Sequence, residues 1–189
     1  ASKRQISFPA LDKPPRSLQH KDMNLSEELT TALNDQIGME FQAFYSYLSM
    51  ASYFETNAWD GFASWMSAQS DEEREHAMKF YAYLLDRGAT VTLPAIAAPS
   101  KEFTSPLAVF EASLAQEKKV TAAIGQLYKL AHSCDDYATV SFLKWFIDEQ
   151  VEEEKSVGDM IDKLKRAEGN TEAMFMLDRL AGERVPDAE

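Results

Sequence analysis

A long helical period, interrupted once per helix by an acid, is the feature that most constrains this chain. Apolar residues recur at three- and four-residue spacing over four long stretches, and in each a glutamate stands in line with them. The first row reads Leu33, Ile37, Glu40, Phe44, Tyr47, Ala51, and the second Phe62, Met66, Gln69, Glu73, His76, Phe80, Tyr83. The third reads Phe110, Leu114, Glu117, Thr121, Ile124, Tyr128, Ala131. The fourth reads Phe142, Phe146, Glu149 or Gln150, Glu153, Val157, Met160, Leu164. Residues three or four apart share one helix face, so each acid is aimed at the interior that its apolar neighbours seek. An unpaired carboxylate there is costly.

Something must offset that cost. Each acid could pair with a lysine or arginine, or a stripe misphased by one residue could turn its acid to water. The third reading is a divalent metal. Glu73 and His76 lie one turn apart, and carboxylate with imidazole suits iron, zinc or manganese. A lone Glu-x-x-His is a loose motif. Four acids at compatible depths are more specific, and four carboxylates with a neutral imidazole balance two dications.

The breaks between stretches order the helices. The first is expected from about Leu25 to Phe54, with Asn24 or Ser26 as cap and Glu27 and Glu28 in its first turn. Only Glu55 to Ala58 separates it from the second, about Trp59 to Arg87, so the pair forms an antiparallel hairpin ended by Gly88. The connection from Gly88 to Ser105 holds Pro94 and Pro99. Extended, it spans about 55–60 Å, against about 40–45 Å for one such helix. It can therefore cross the bundle and start the third helix parallel to the second. That helix runs from about Ser105, with Pro106 in its first turn, to His132, and the fourth from about Tyr137 to Glu168. A short fifth helix, about Thr171 to Gly182, carries Met174, Phe175, Leu177 and Leu180. Too short and apolar to stand alone in water, it is expected to bury that face against other subunits. Three regions follow: an irregular, mildly basic arm over 1–23, broken by Pro9, Pro14 and Pro15; a four-helix bundle over 24–169; and the fifth helix with its tail over 170–189. The arm would be disordered, pack on a neighbour, or be what remains of a targeting peptide.

Composition removes several function classes. A formal net charge of −12 opposes nucleic acid as a partner. It fits solubility, or a field that gathers cations. No apolar run reaches transmembrane length, so no membrane partner is expected. A single cysteine, Cys134, excludes an internal disulfide framework and a four-cysteine metal site, and suits a reducing compartment.

From about Leu25 to Leu180 the chain resembles non-haem ferritin subunits. The resemblance is carried by Asn34-Asp35-Gln36-Ile37-Gly38-Met39-Glu40, Tyr45-Ser46-Tyr47-Leu48-Ser49-Met50, Glu72-Glu73-Arg74-Glu75-His76-Ala77 and Asp148-Glu149-Gln150-Val151-Glu152-Glu153, in order and spacing. It implies an all-α, ferritin-like four-helix bundle with a long crossover and a short C-terminal helix. It further implies a 24-subunit homo-oligomeric shell and a di-iron ferroxidase centre in each subunit. That centre would oxidise Fe2+ with dioxygen or hydrogen peroxide and store ferric oxyhydroxide mineral. By matching positions, Glu40, Glu73 and His76 resemble the first iron site, and Glu73, Glu117 and Glu153, with Gln150, the second. Tyr47 is similar to the family's tyrosine beside the centre, and Trp145 to a tryptophan of bacterial members; both are also ordinary core aromatics. Glu72, Glu149 and Glu152, with Glu153, resemble a third iron site, though Glu72, Glu75, Glu149 and Glu152 also fit a solvated acidic face.

There are departures. Where the symmetric two-metal recipe has a second Glu-x-x-His, the fourth helix offers Gln150-x-x-Glu153, which implies unequally held metals suited to transit. Positions matching the animal pore acids are Val140 and Leu143, and Asp135 and Asp136 are near but unmatched. Arg74 stands at the position of the bacterioferritin haem ligand, so no haem is expected. The resemblance implies a cytoplasmic protein, or a plastid stromal one if the arm derives from a transit peptide. Two rivals remain. A rubrerythrin-type di-iron enzyme usually adds a cysteine-rich domain, which one cysteine cannot make. The other is a non-catalytic shell or bundle protein.

Overall fold

A computed structural model describes residues 24–184 of the chain. The arm over 1–23 lies outside the described residues, and so do the last five positions. Within them the chain forms α1 (Glu27–Thr56), α2 (Asp60–Asp86), α3 (Pro106–Ser133), α4 (Tyr137–Ala167) and α5 (Thr171–Gly182), with no strand. Each boundary has a local cause. Ser26, Ser105, Asp136 and Asn170 accept from the Leu29, Ala108, Thr139 and Ala173 amides at 3.0–3.1 Å, which satisfies N-terminal donors that lack helical partners. Pro106 occupies the first turn of α3, where its missing N–H costs nothing.

Two hairpins, α1–α2 and α3–α4, pack through α1 and α3. The crossover from Gly88 to Ser105 joins them, and Pro94 sits so tightly on Gly38 of α1 that a methyl group there would overlap it. Asn34 of α1 ties the same connection down: its Nδ2 donates to the Thr90 carbonyl at 3.1 Å and its Oδ1 accepts from the Thr92 amide at 2.6 Å.

On the opposite seam the Cα atoms of α2 and α4 stay beyond 8 Å of one another. Aromatic rings fill the gap. Phe80 stacks on Phe146 at 4.1 Å and Tyr83 on Phe142 at 4.0 Å.

Apolar burial is divided into two clusters. One gathers Leu29, Leu33, Ile37, Phe80, Leu84, Ile124 and Leu143 at the end where α1 begins. The other gathers Met50, Phe54, Phe62, Met66, Phe110, Val157 and Leu164 at the other end. Between them every long helix contributes buried polar residues, so the bundle core is apolar, polar, apolar along its axis.

Part of the fifth helix's apolar surface, expected to be buried against other subunits, is buried within its own chain. Leu177 and Ala181 are buried against the chain's own bundle, while Phe175, Met176 and Leu180 are exposed. Docking is close because Gly61 of α2 lacks a side chain; a Cβ there would overlap the Asp178 carbonyl. N-cap residue Trp59 makes no side-chain cap for α2, and the Phe62 amide instead donates to Asp178 Oδ1 at 2.8 Å. One helix thus caps the other.

Candidate metal centre

The polar layer is built by phase. Glu40, seven residues before Tyr47, points between the hairpins from α1; Glu73 and His76 come from α2, Glu117 from α3, Gln150 and Glu153 from α4. All are buried, with Glu40 and Glu117 at 0% exposure and Glu73 at 1%. Among the described residues, the buried polar set contains these four glutamates and no lysine or arginine. Direct pairing with a buried basic side chain and misphased stripes are both excluded.

Hydrogen bonds hold some of the acid oxygens. Gln36 Nε2 donates to Glu40 Oε1 at 2.8 Å from one turn earlier on α1. Tyr47 OH donates to Glu117 Oε1 at 2.5 Å and lies 2.8 Å from the Ser113 hydroxyl. Gln150 Nε2 donates to Glu117 Oε2 at 3.2 Å, and Gln69 Nε2 to Glu153 Oε2 at 2.9 Å. Other oxygens are left over. Glu40 Oε2, Glu73 Oε2 and Gln150 Oε1 are buried without a hydrogen-bond partner, and Glu73 Oε2 is a long 3.5 Å from His76 Nδ1. Buried orphans are rare, and three in one layer mark a place for a ligand.

The electrostatics agree. Burial, partly opposed by the Gln36 bond, pushes the Glu40 carboxyl up to about 7. Burial, partly opposed by Tyr47 and Gln150, brings Glu117 to about 7. Burial and then the Glu117 charge raise Glu153 to about 8. Glu73 is raised well above its usual range, by burial and then by the charges of Glu117, Glu40 and Glu153. Burial and the Glu117 charge raise Tyr47 as well, which keeps the phenol a donor. Without cations these acids favour keeping protons; a dication relieves both causes.

Donor atoms of Glu40, Glu73 and His76 lie within 4.8 Å of one another, and so do those of His76, Glu149 and Glu153. Glu117 belongs to neither trio and is held by Tyr47 and Gln150 beside them. Glu149 is half-buried and Glu152 exposed on α4. Glu72 accepts from Arg184 at 2.8 Å. Trp145 is half out of the bundle, edge-on to the His76 ring at 5.4 Å and with Lys79 Nζ 4.3 Å from its own centroid. Of the pore-matching positions, Leu143 is fully buried in the core and Val140 half-buried.

Gln36, Ser113 and Arg184 are not marked as site residues by the sequence, and Gln69 enters there only as a stripe member. Gln36 could have been found, since it lies four residues before Glu40 on the same face. Arg184 could not, because only the fold brings it to α2.

The Ferritin family, a ferritin-like domain, matches residues 30–167. A bacterial non-heme ferritin of Staphylococcus aureus (strain USA300) is 41% identical over 165 residues, covering 87% of this chain and 99% of that protein. Its Staphylococcus epidermidis counterpart is 44% identical over 155 residues, covering 82% of this chain and 93% of its own. Among solved structures, an open pore ferritin from the archaeon Archaeoglobus fulgidus superposes with a TM-score of 0.85 at 41% identity, covering 86% of this chain and 100% of that one. A humanized archaeal ferritin gives 0.86 at 40% identity, covering 87% of this chain and 100% of its own.

Proposed function

Because this chain belongs to the ferritin family, whose business is iron storage, we propose that its buried acids form a ferroxidase centre taking Fe2+ as substrate. Glu40, Glu73 and His76 hold one ion. Glu73, Glu117 and Glu153, with Gln150, hold the other, and Glu73 bridges. The observation that carries this reading is the layer of four buried glutamates with no buried lysine or arginine among the described residues, in which Glu40 Oε2 and Glu73 Oε2 have no hydrogen-bond partner.

Each Fe2+ gives up one electron, and dioxygen accepts the pair with two protons to leave hydrogen peroxide and two Fe3+. The protein contributes placement and negative charge, which favours the higher oxidation state. Tyr47, held on Glu117, is a phenol within reach of the reacting ions and a candidate electron and proton donor. Fe3+ then moves toward Glu72, Glu149 and Glu152, where acids favour a ferric oxyhydroxide mineral. Unequal ligand sets, one with imidazole and one without, suit ions that pass through.

Storage also needs an enclosed volume, and the proposed form is a 24-subunit shell of identical chains. Exposed Met39, Tyr45, Leu48, Leu93 and Ile96 on α1 and the crossover, and Phe175, Met176 and Leu180 on α5, supply apolar surface for neighbours. Among the described residues no helix is long and apolar enough to cross a membrane.

The test is anaerobic loading with Fe2+ followed by air. Wild type should give rapid ferric absorbance, and Glu73→Ala should abolish the fast phase. Equal rates in the two proteins would remove the catalytic assignment. Size-exclusion chromatography of the same samples reads the shell directly.

A further inference from the structure

Arg184 lies just beyond α5, yet its side chain reaches the edge of the polar layer. Its Nη1 donates to Gln69 Oε1 at 2.6 Å, and its Nη2 to the two Glu72 oxygens at 2.8 and 3.1 Å. The guanidinium carbon stands 5.0 Å from the Trp65 ring centroid. Gln69 is fully buried and has both ends of its amide in use. With Oε1 turned to Arg184, Nε2 is turned to Glu153. Reversing the amide would set donor against donor. Arg184 therefore fixes the orientation of a proposed ligand through one intervening side chain, and covers both oxygens of a second acid.

Beside this contact is room to move. Arg184 lines a cleft of about 600 Å³ together with Glu149, Glu152 and Glu153. The donor atoms of His76, Glu149 and Glu153 gather within 4.8 Å at the same face. A guanidinium carries a permanent single positive charge and grips a carboxylate in a planar fork. While it sits on both Glu72 oxygens, its positive charge opposes a dication there.

We infer that Arg184 is a tethered cation gating the α2–α4 face of the centre. Closed on Glu72 and Gln69, it keeps dications off Glu72 and holds Glu153 in place. Swung into the adjoining cleft, it releases Glu72 as a ligand for a further ion. The inference rests on the two-cation reading of the buried acids. Arg184 acts through Gln69 and Glu72, which makes it a positioning residue.

Calorimetric titration of the metal-free, full-length assembly with Zn2+ tests this without redox chemistry. Wild type should show a tight class of sites, lost in Glu73→Ala, and a weaker class. Arg184→Gln should tighten the weaker class at least about tenfold, because a positive charge a few ångströms from a dication is removed. Arg184→Lys keeps the charge and should not. Adding Glu72→Gln to Arg184→Gln should cancel the gain. A merely structural Arg184 would lower the thermal midpoint in both the Gln and Lys variants and leave the zinc isotherm unmoved, which overturns the gate. If Glu73→Ala loses the tight class but Arg184→Gln leaves the weak one as it was, the gate alone falls. If Glu73→Ala keeps the tight class, the two-cation reading falls and the gate with it.

Discussion

Glu73 sits among three other buried acids. The residue is 1% exposed, and its carboxyl faces the charges of Glu117, Glu40 and Glu153 and has one oxygen without a hydrogen bond. Such a group is retained at a cost in stability, which is the usual trade at a functional site. Glu73→Gln keeps the shape and removes the charge, and its amide can donate to the acids on either side. The metal-free variant should be more stable than wild type at pH 8, by about 1–2 kcal/mol for relief of one such site. It should also lose tight dication binding. The thermal midpoint of the metal-free protein is the measurement, and a lower midpoint for Glu73→Gln would contradict the strain assigned to this residue.

At the scale of elements, two clasps hold the ends of α2. At its N-terminus Asp178 of α5 supplies the missing cap. Asp178→Ala should cost about 1 kcal/mol, as for loss of a helix N-cap, and should increase protease cutting near α5. Unchanged cutting would mean that the α5 contact does not depend on this cap. At the other end Arg87 grips Asp136, the N-cap of α4, through two bonds of 2.8 and 3.0 Å. The Arg87 hydrogen bonds are the main cause that lowers the Asp136 carboxyl to about 2. A lowered acid stabilises the fold above its unfolded pKa and loses that contribution as pH falls through its folded value. Asp136→Asn should therefore cost about 2 kcal/mol at neutral pH, as for a charged hydrogen bond, and the difference from wild type should shrink between pH 4 and pH 2.

These clasps also show what the sequence could disclose. The row from Phe62 to Phe80 was readable because one period carries apolar residues, Glu73 and His76 together, and the same held on α1, α3 and α4. Periodicity reports which face of a helix goes inward. It is silent on which distant side chain caps which helix, so Asp178 on Phe62 and Arg184 on Glu72 had no signal in the chain order. The inward part of the fifth helix was illegible for a related reason. Its apolar residues cover more than one face, and sequence could not divide Leu177 and Ala181, which turn inward, from Phe175, Met176 and Leu180, which do not.

For the whole molecule, the polar layer sets a conflict between folding and protonation that bound cations would resolve. Glu40 and Glu117 are raised to about 7 and Glu153 to about 8. A carboxyl with a raised folded pKa imposes no penalty while it is protonated in both folded and unfolded chains. The penalty begins as pH rises through the ordinary carboxylate value near 4.5 and is complete above the folded values. The metal-free protein should therefore lose stability between pH 5.5 and pH 8.5. In a domain of this size each kcal/mol moves the midpoint by about 2–4 °C, so the fall should reach several degrees. Dications reverse the sign, since they bind the deprotonated acids and compete with protons, and the loaded protein should gain stability over the same window. Thermal scans at one scan rate, with and without Zn2+, measure both arms. A metal-free midpoint that holds level or climbs with pH, at constant assembly state, would show that the bundle carries its buried acids without strain and has no electrostatic reason to collect iron.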